Sequence, residues 1–369
     1  MRLKPFLLDH WLDEHRGPHI KYDLGSSTGP SWTVRELCAL DGRSPDQVLA
    51  DLPVVYSDGA GSEALRVEVA RLHGVRPEDV QVTTGAAEAL LILLMEAAEP
   101  GANVVVPFPC FTEIPAVAEG FGIEVRAYPL RREAGFRVDL DDVGRLVDRR
   151  TRLLVVNSPH NPTGAVLDQA QMDGLHQVAS SAGVPLVSDE VYYPLAFGST
   201  PATAAHFDDA IVLGDCSKAI SLSGLRVGWL VDRNPRRRAE HFNTRAYFTI
   251  SNSPLSEALA VIALRHRGRI LDRTRAVVQA NLERFRSFAE RHPRHIEWVP
   301  PGGSTTAFPW LVGASDARPL CVALAKRGVL VVPGDCFEMP AHFRVGFGSP
   351  PEAFAAALDE MSSALAARL

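Results

Sequence analysis

Residues 151–195 decide the fold, and they read TRLLVVNSPHNPTGAVLDQAQMDGLHQVASSAGVPLVSDEVYYPL. The runs 152–156 and 184–188 are apolar almost throughout, which is typical of strands covered on both faces of a sheet. The segment 169–182 between them has helical spacing of its apolar residues. A strand, a helix and a strand in this order predict an α/β sheet that is mostly parallel.

The same alternation extends from about residue 79 to residue 231. Further strands are predicted at 80–83, 103–106, 124–128, 210–213 and 226–231, and a further helix at 86–98. In open α/β sheets, ligands bind at the carboxyl ends of the strands. We therefore expect the functional residues in the turns that follow the strands.

The pattern changes after the sheet region. Residues 255–291 read as one long or broken helix, and the remainder predicts strands at 296–299 and 343–347 with helices at 318–327 and 351–368. This is the pattern of a smaller α+β domain. The predicted divisions are an N-terminal segment joining the small domain, a large domain, an interdomain helix and the small C-terminal domain, at 1–45, 46–250, 251–290 and 291–369.

Composition excludes several classes of protein. The chain has 369 residues, of which 46% are hydrophobic, and a net charge of −6, so disorder and a general affinity for nucleic acid are both disfavoured. No apolar run approaches the roughly 18 residues of a membrane span. The N-terminus lacks a signal-peptide pattern, and the five cysteines form no CxxC pair. We expect a soluble cytoplasmic enzyme without nucleic-acid, membrane or metal partners.

One motif is a weak match to a dinucleotide-binding fingerprint. Residues 59–64, GAGSEA, fit G-x-G-x-x-A and open a predicted helix. However, the match precedes the alternating region, and no acidic residue ends a second strand about 20 residues further on. A nicotinamide-dependent enzyme is therefore the disfavoured interpretation.

Several turns after strands carry groups suited to chemistry or ligand binding. Residues 84–88 are small enough for backbone N–H groups to approach a phosphate, although an ordinary helix start explains them equally well. The loop 157–164 combines two prolines and a glycine with Asn161. Asp189 ends an apolar strand, where a charge needs a cationic partner, either a cofactor or a structural ion pair.

Lysine usage points to one position. The chain has only four lysines, and only Lys218 stands at a strand-to-loop junction of the central sheet. A lysine at such a place in an arginine-rich chain indicates a need for an amine that can lose its proton, which arginine cannot supply. The alternative is an ordinary surface lysine.

The ordered set of motifs closely resembles that of the class I and II aminotransferases. The set consists of Ser158-x-x-Asn-Pro-Thr-Gly, Asp189-Glu-x-Tyr, Ser217-Lys218 and Gly224-Leu-Arg-x-Gly. The resemblance covers nearly the whole chain. It implies the fold-type I architecture, with a mostly parallel sheet in a large domain, and the cofactor pyridoxal 5′-phosphate (PLP).

The resemblance also implies roles for individual residues around the cofactor ring. Lys218 would form the Schiff base and later move the α-proton. Asp189 would pair with the pyridinium nitrogen and keep it charged. Tyr192 and Asn161 would hydrogen-bond the ring oxygen, and Phe111 would stack on the ring.

For the phosphate, the resemblance implies Arg226, eight residues after Lys218, and a cradle made by Gly85, Ala86 and Ala87. Asp215, three residues before Lys218, departs from the family, which usually has a residue with a hydroxyl group at this position. Ser217 or Ser223 would supply the hydroxyl instead.

The remaining implied roles concern the substrate and a second subunit. Arg344 would bind the substrate α-carboxylate beside Gly25. Tyr56 would reach the phosphate of a neighbouring subunit, so the resemblance implies a homodimer with shared active sites.

Within the family, five stretches resemble the capreomycidine synthases, which dehydrate and cyclise a hydroxylated arginine in antibiotic pathways. They are residues 8–12, 157–162, 253–255, 302–309 and 332–337. This implies a cyclase, with plain transamination as the alternative. A cyclase needs groups that hold a guanidinium, and Asp58, Glu113 and Asp215 are the candidates.

A non-enzymatic PLP-binding regulator is the third interpretation. It would carry an N-terminal DNA-binding domain, for which the roughly 35 residues before the Tyr56 region are too few. The regulator is therefore disfavoured relative to the two enzyme classes.

Overall fold

The computed structural model describes residues 3–366. Within this range the α-helices are α1 Leu7–His15, α2 Val34–Leu40, α3 Pro45–Leu49, α4 Glu63–His73, α5 Ala86–Glu96, α6 Glu113–Gly120, α7 Leu140–Leu146, α8 Gln169–Ser181, α9 Pro235–Ala246, α10 Pro254–Arg265, α11 Arg267–Arg291, α12 Arg318–Lys326 and α13 Pro351–Ala366. Short 3₁₀ helices occur at Pro77–Asp79, Arg132–Ala134, Ala204–His206, Ser223–Leu225 and Gly334–Phe337.

The β-strands in the same range are β1 Tyr22–Asp23, β2 Val80–Thr83, β3 Asn103–Phe108, β4 Glu124–Pro129, β5 Thr151–Asn157, β6 Leu186–Asp189, β7 Ile211–Asp215, β8 Gly228–Asp232, β9 Ile296–Glu297, β10 Thr306–Ala307, β11 Trp310–Leu311, β12 Val329–Leu330, β13 Val332–Pro333 and β14 Phe343–Gly346. All seven strands predicted between residues 79 and 231 are present, with ends that differ by a few residues.

Seven strands form one central sheet in the order β2-β8-β7-β6-β5-β3-β4. The pairs from β7 across to β4 are parallel, whereas β8 runs antiparallel to both of its neighbours. The predicted α/β fold with a mostly parallel sheet is thus confirmed. A helix follows most of the parallel strands, as a parallel connection requires.

The sheet is covered on both faces, which explains its apolar strands. In β5, Leu154 belongs to an apolar cluster that includes Leu175 of α8. The next residue, Val155, points to the opposite face and belongs to a second cluster with Leu93 of α5. Because both sides of the strand are buried, its sequence is continuously apolar instead of alternating.

The helical region 255–291 is broken, one of the two forms that its sequence allows. α10 ends at Arg265 and α11 begins at Arg267, with His266 between them outside the helical conformation. The ring nitrogen Nε2 of His266 lies 3.0 Å from Oδ1 of Asp41, which ties the break to the segment after α2.

A separate core forms around the C-terminal elements. Its cluster includes Trp11 of α1, Phe285 of α11 and Phe354 of α13, and β1 pairs in parallel with β12. In contrast, Leu37 of α2 packs into the cluster beneath the central sheet. The N-terminal segment therefore contacts both cores, and the domain boundaries at 45, 250 and 290 stay a prediction.

One edge of the central sheet collects the turns of interest. The parallel strands β5, β6 and β7 end at this edge, and β8 begins there because it runs the opposite way. The residues that follow β5, β6 and β7 therefore lie close to one another and to the residues that precede β8. In residues 3–366, no helix combines the length and apolarity needed to cross a membrane.

Candidate active site

A cavity of about 190 Å³ opens at this edge of the sheet. Nine of the predicted site residues line it: Ala86, Ala87, Phe111, Asn161, Asp189, Tyr192, Ser217, Lys218 and Arg226. Its wall also contains Asp215, Ser223 and Glu113. Four further predicted residues, Gly85, Gly25, Arg344 and Tyr56, do not line the cavity.

Lys218 reaches the cavity from the turn after β7. This turn is held against the start of β8, since the N–H of Cys216 donates to the carbonyl oxygen of Val227 at 2.9 Å. The Lys218 amine Nζ donates to Oγ of Ser27 at 2.8 Å. The only lysine of the central sheet thus presents its amine to the cavity.

Asp189 is the last residue of β6. Its Oδ1 accepts a hydrogen bond from the N–H of Val191 at 3.2 Å, and its carbonyl oxygen accepts one from Nδ2 of Asn157 at 2.9 Å. Burial raises the pKa of the Asp189 carboxyl to about 7, and the nearby carboxyls of Asp215 and Glu113 act in the same direction. Such a carboxyl gains most from a cationic partner placed in the cavity.

Tyr192 and Asn161 are buried on the wall that faces the C-terminal core. The Tyr192 hydroxyl donates to the carbonyl oxygen of Ser27 at 3.1 Å. The N–H of Asn161 donates to Oδ1 of Asn157 at 2.8 Å. Phe111 is half-buried and meets Phe6 edge-on, with 5.6 Å between ring centroids.

The groups predicted to bind the phosphate meet at the opposite end of the cavity, which we call the anion cradle. Arg226 donates from Nη1 to the carbonyl oxygen of Ser223 at 3.1 Å and to Oγ of Ser217 at 3.4 Å. Gly85 has a positive φ of 80°, and a Cβ there would lie 2.5 Å from Nη2 of Arg226. A Cβ on Gly228 would lie 2.4 Å from the carbonyl carbon of Gly85. Both glycines are therefore needed for this close packing.

The cradle combines two sources of positive potential. The first N–H groups of α5, from Ala86 and Ala87, have no partner within the helix and carry the positive end of its dipole. The guanidinium of Arg226 supplies a full charge beside them. Together with Asp189 at the far end and Lys218 between, these groups fit a molecule with a phosphate, an aldehyde and a cationic ring nitrogen.

Asp215 stands in the cradle wall but is turned into its own loop. Its Oδ1 accepts a hydrogen bond from the N–H of Ser217 at 2.8 Å. Burial raises the pKa of the Asp215 carboxyl, while Lys218 and Arg226 oppose the shift. The acid thereby shapes the turn before Lys218, and the hydroxyl that accepts a hydrogen bond from Arg226 belongs to Ser217.

Arg344 and Gly25 meet each other behind the cavity wall. Arg344 Nη2 donates to the carbonyl oxygen of Gly25 at 2.8 Å, and Nη1 donates to Oδ1 of Asn161 at 3.2 Å. Burial lowers the pKa of the Arg344 guanidinium. Its Nε has no hydrogen-bond partner among the described residues. The role of Arg344 in carboxylate binding stays a prediction.

Tyr56 lies outside the cavity of its own chain and is 78% exposed. The neighbouring residues Val54 and Val55 are also exposed, at 80% and 67%. Gly59 packs against Phe242, whose ring lies 2.8 Å from the position of a Cβ on that glycine. An exposed apolar surface of this kind is typical of a protein–protein contact.

Ser27 is the site residue that the sequence reasoning missed. Its carbonyl oxygen accepts from Tyr192 and from Oγ1 of Thr305 at 2.8 Å, and its hydroxyl accepts from Lys218. The available signal was the segment 24–29, LGSSTG, from which only Gly25 was predicted. No local pattern shows that this segment reaches Lys218.

Comparison with known proteins identifies the family. The model of aminotransferase class I and II matches residues 54–360. Capreomycidine synthase of Streptomyces vinaceus is 34% identical over 93% of this chain and 89% of its own length. The arginine–pyruvate transaminase AruH of Pseudomonas aeruginosa is 34% identical, but over 54% of this chain and 53% of its own length.

Two solved structures share the fold over the whole chain. A PLP-dependent aminotransferase from Streptococcus suis superposes with a TM-score of 0.94 at 30% identity, covering 100% of this chain and 99% of that one. The PLP-dependent cyclase OrfR superposes with a TM-score of 0.91 at 28% identity, with the same coverage. The family and fold-type I architecture predicted from the motifs are confirmed: this chain belongs to the class I and II aminotransferases and is a PLP-dependent enzyme.

Proposed function

We propose that the chain converts a hydroxylated arginine into a cyclic amino acid in natural-product biosynthesis, as capreomycidine synthase does. The observation that carries this proposal is that one cavity is lined by both Lys218 and an acidic group, Glu113. The likeness to capreomycidine synthase over 93% of the chain supports the choice of substrate class. The likeness to the cyclase OrfR supports the choice of reaction.

The cofactor-binding roles follow from the two ends of the cavity. Asp189 would hold the ring nitrogen, and Arg226 with the first N–H groups of α5 would hold the phosphate. Lys218 would be joined to the aldehyde carbon. When bound, PLP supplies an electron sink for the bond pair left at the substrate α-carbon.

The chain's own groups then account for the proton movements. The Lys218 amine would remove the α-proton, and the β-hydroxyl would leave as water after receiving a proton. A guanidino nitrogen of the substrate would bond to the β-carbon and lose a proton, while a proton returns to the α-carbon. The product is therefore the substrate minus one water, with no oxidant or reductant consumed.

Glu113 is the group best placed to hold the guanidino end. It starts α6 and lines the cavity, where burial raises the pKa of its carboxyl to about 7. Asp9 of α1 lies close enough to raise the same pKa further, whereas Arg226 lowers it. A guanidinium between Glu113 and Asp9 would relieve both the desolvation and the repulsion.

A homodimer would complete the site. Tyr56 and the neighbouring exposed apolar residues would be covered by the second copy, and Tyr56 would then reach the partner's phosphate. The exposure of three consecutive large side chains, those of Val54, Val55 and Tyr56, supports this proposal because contiguous exposed apolar surface is typical of an interface. The oligomeric state is measured directly by sedimentation or light scattering.

Plain transamination is the second candidate, favoured by the similarity to an arginine–pyruvate transaminase over 54% of the chain. Mass spectrometry separates the two reactions. With β-hydroxyarginine alone, a cyclase yields a product lighter by one water, whereas a transaminase yields a keto acid and needs an added keto acid to continue.

A matched variant tests the guanidinium subsite. Glu113→Gln keeps the size of the side chain but removes its charge, so we expect roughly tenfold lower kcat/KM for hydroxyarginine, corresponding to one charge-assisted hydrogen bond. PLP binding is expected to be unchanged. Keto acids as the only products from wild-type protein would reject the cyclase.

A further inference from the structure

The anion cradle includes a residue with a strained backbone, Arg226. This residue has φ 51° and ψ 46°, the left-handed region that is unfavourable for a residue with a side chain. Its N–H reaches the carbonyl oxygen of Ser223 only at 3.4 Å. The carbonyl oxygen of Arg226 is contacted from outside the turn, where it accepts from Nδ2 of Asn252 at the same distance of 3.4 Å.

Asn252 joins the two halves of the cradle. Besides Arg226, its Nδ2 donates to the carbonyl oxygen of Thr83 at 2.9 Å. Thr83 ends β2, two residues before Gly85 and three before the start of α5. A single buried amide, 6% exposed, thus contacts the backbone on both sides of the expected phosphate position.

Arg245 fixes the orientation of this amide. Its Nη2 donates to Oδ1 of Asn252, so the Nδ2 atom must face the two carbonyl groups. Its Nη1 donates to the carbonyl oxygen of Gly59 at 2.6 Å, and its Nε lies 3.5 Å from Oε2 of Glu88. The Arg245 side chain is 1% exposed.

Glu88 returns the network to the cradle. It stands in the first turn of α5 and accepts a hydrogen bond from the N–H of Thr84. Burial lowers the pKa of Arg245 and the Glu88 carboxylate raises it, so this ion pair offsets part of its own desolvation. Glu88, Arg245 and Asn252 therefore form a buried polar network behind the anion cradle.

We propose that Asn252, oriented by Arg245, is a positioning residue that holds the Arg226 backbone in the conformation needed to bind the cofactor phosphate. The proposal rests on the proposed function, in which Arg226 contacts that phosphate. Neither Asn252 nor Arg245 lines the cavity, so their effect passes through Arg226 and the start of α5.

The test compares two aldehydes, pyridoxal 5′-phosphate and pyridoxal, which lacks the phosphate. In Asn252→Ala apoenzyme, we expect the dissociation constant for pyridoxal 5′-phosphate to rise about tenfold, while that for pyridoxal changes less than about twofold. Fluorescence titration of the apoenzyme measures both constants without reference to turnover.

Asn281→Ala is the matched control. Asn281 is also a buried amide whose Nδ2 donates to two carbonyl oxygens, those of Phe347 at 2.9 Å and Ser349 at 2.8 Å, but it lies in α11. It is expected to lower the thermal stability without changing the ratio of the two dissociation constants. Equal weakening of both aldehydes by Asn252→Ala would overturn the proposal.

Arg245→Lys keeps a positive charge near Glu88 but cannot hold Asn252 and Gly59 together. We expect about a threefold phosphate-specific loss, smaller than for Asn252→Ala because the amide itself remains. An unchanged ratio would remove Arg245 from the proposal. Failure of wild-type protein to bind either aldehyde at Lys218 would instead contradict the proposed function.

Discussion

The two ends of the cavity hold opposite charges in opposite ways. At one end, Asp189 is half-buried, and desolvation raises the pKa of its carboxyl to about 7. At the other end, the Arg226 guanidinium is exposed and adjoins the unpaired N–H groups of α5. The acid end is the less exposed of the two and gains most from a cation, whereas the basic end is more exposed and attracts an anion. A cofactor with a cationic ring and a phosphate satisfies both ends, but its ring contributes more through Asp189.

The largest expected effect comes from the residue between the two ends. Lys218→Ala removes the amine, so we expect complete loss of the visible absorbance of lysine-bound cofactor and of turnover. Both ends remain, so PLP should still bind without a covalent bond. Absorbance spectroscopy together with equilibrium dialysis measures the two properties. Survival in this variant of the band of the lysine-bound cofactor, as distinct from the band of the free aldehyde, would show that another amine carries the cofactor.

Asp189→Asn tests the acid end of the cavity. The asparagine keeps the shape of the side chain but cannot pair with a charged ring nitrogen. We therefore expect kcat/KM to fall by an amount that corresponds to about 2–5 kcal/mol of lost transition-state stabilisation, the range for truncating a buried charge pair. Steady-state kinetics with saturating PLP checks the value. Asp173→Asn, at an exposed position on α8 that does not line the cavity, is a control that should leave the rate unchanged. A loss below tenfold would mean that the two ends differ less than the burial indicates.

The same end predicts a pH dependence of the apoenzyme. An unfolded aspartate loses its proton at about pH 4, whereas folded Asp189 keeps it until about pH 7. The folded state therefore binds more protons in this interval, and the free energy of unfolding falls as pH rises from about 4 to about 7. Glu113 and Glu190 shift in the same direction. The contribution of Asp189 is the difference between wild-type and Asp189→Asn denaturation curves across this range.

Arg226→Met tests the basic end of the cavity. Removing the guanidinium should weaken PLP binding by about 1.5–3 kcal/mol, the range for a hydrogen bond to a charged group. Pyridoxal binding should be little affected, because it has no phosphate. Raising the ionic strength should weaken PLP binding to wild-type protein more than to the variant. Equal weakening of pyridoxal would place Arg226 outside the phosphate site.

The smallest effect is expected for Tyr56, which in a homodimer would contact the phosphate bound to the other subunit. Tyr56→Phe removes one hydroxyl, so we expect PLP binding to weaken by about 0.5–1.5 kcal/mol. Titration at protein concentrations where the dimer persists checks this value. An effect that is equally large in a monomeric preparation would contradict a contribution across the subunit boundary.

The ring end of the site was accessible to sequence reasoning because its residues follow strands directly. Asp189 ends β6, and Lys218 stands three residues after the end of β7. The carboxyl ends of neighbouring parallel strands meet at one edge, so identifying the strands also brings these two residues together. Ser27 was missed because its contact with Lys218 joins residues 191 positions apart. Ser27 also lies outside any strand, since the preceding strand β1 is only two residues long and ends at Asp23.

What the sequence by itself determined is the sheet, its apolar strands and the order of reactive groups along them. These features follow from local periodicity and from the cost of burying a charge, both of which are properties of short segments. Tertiary structure alone decided that Ser27 contacts Lys218, that Asn252 contacts both Thr83 and Arg226, and that Tyr56 lies outside the cavity of its own chain. Each of these depends on how distant segments pack, and a single amide or hydroxyl carries no periodic signal that would reveal its partner.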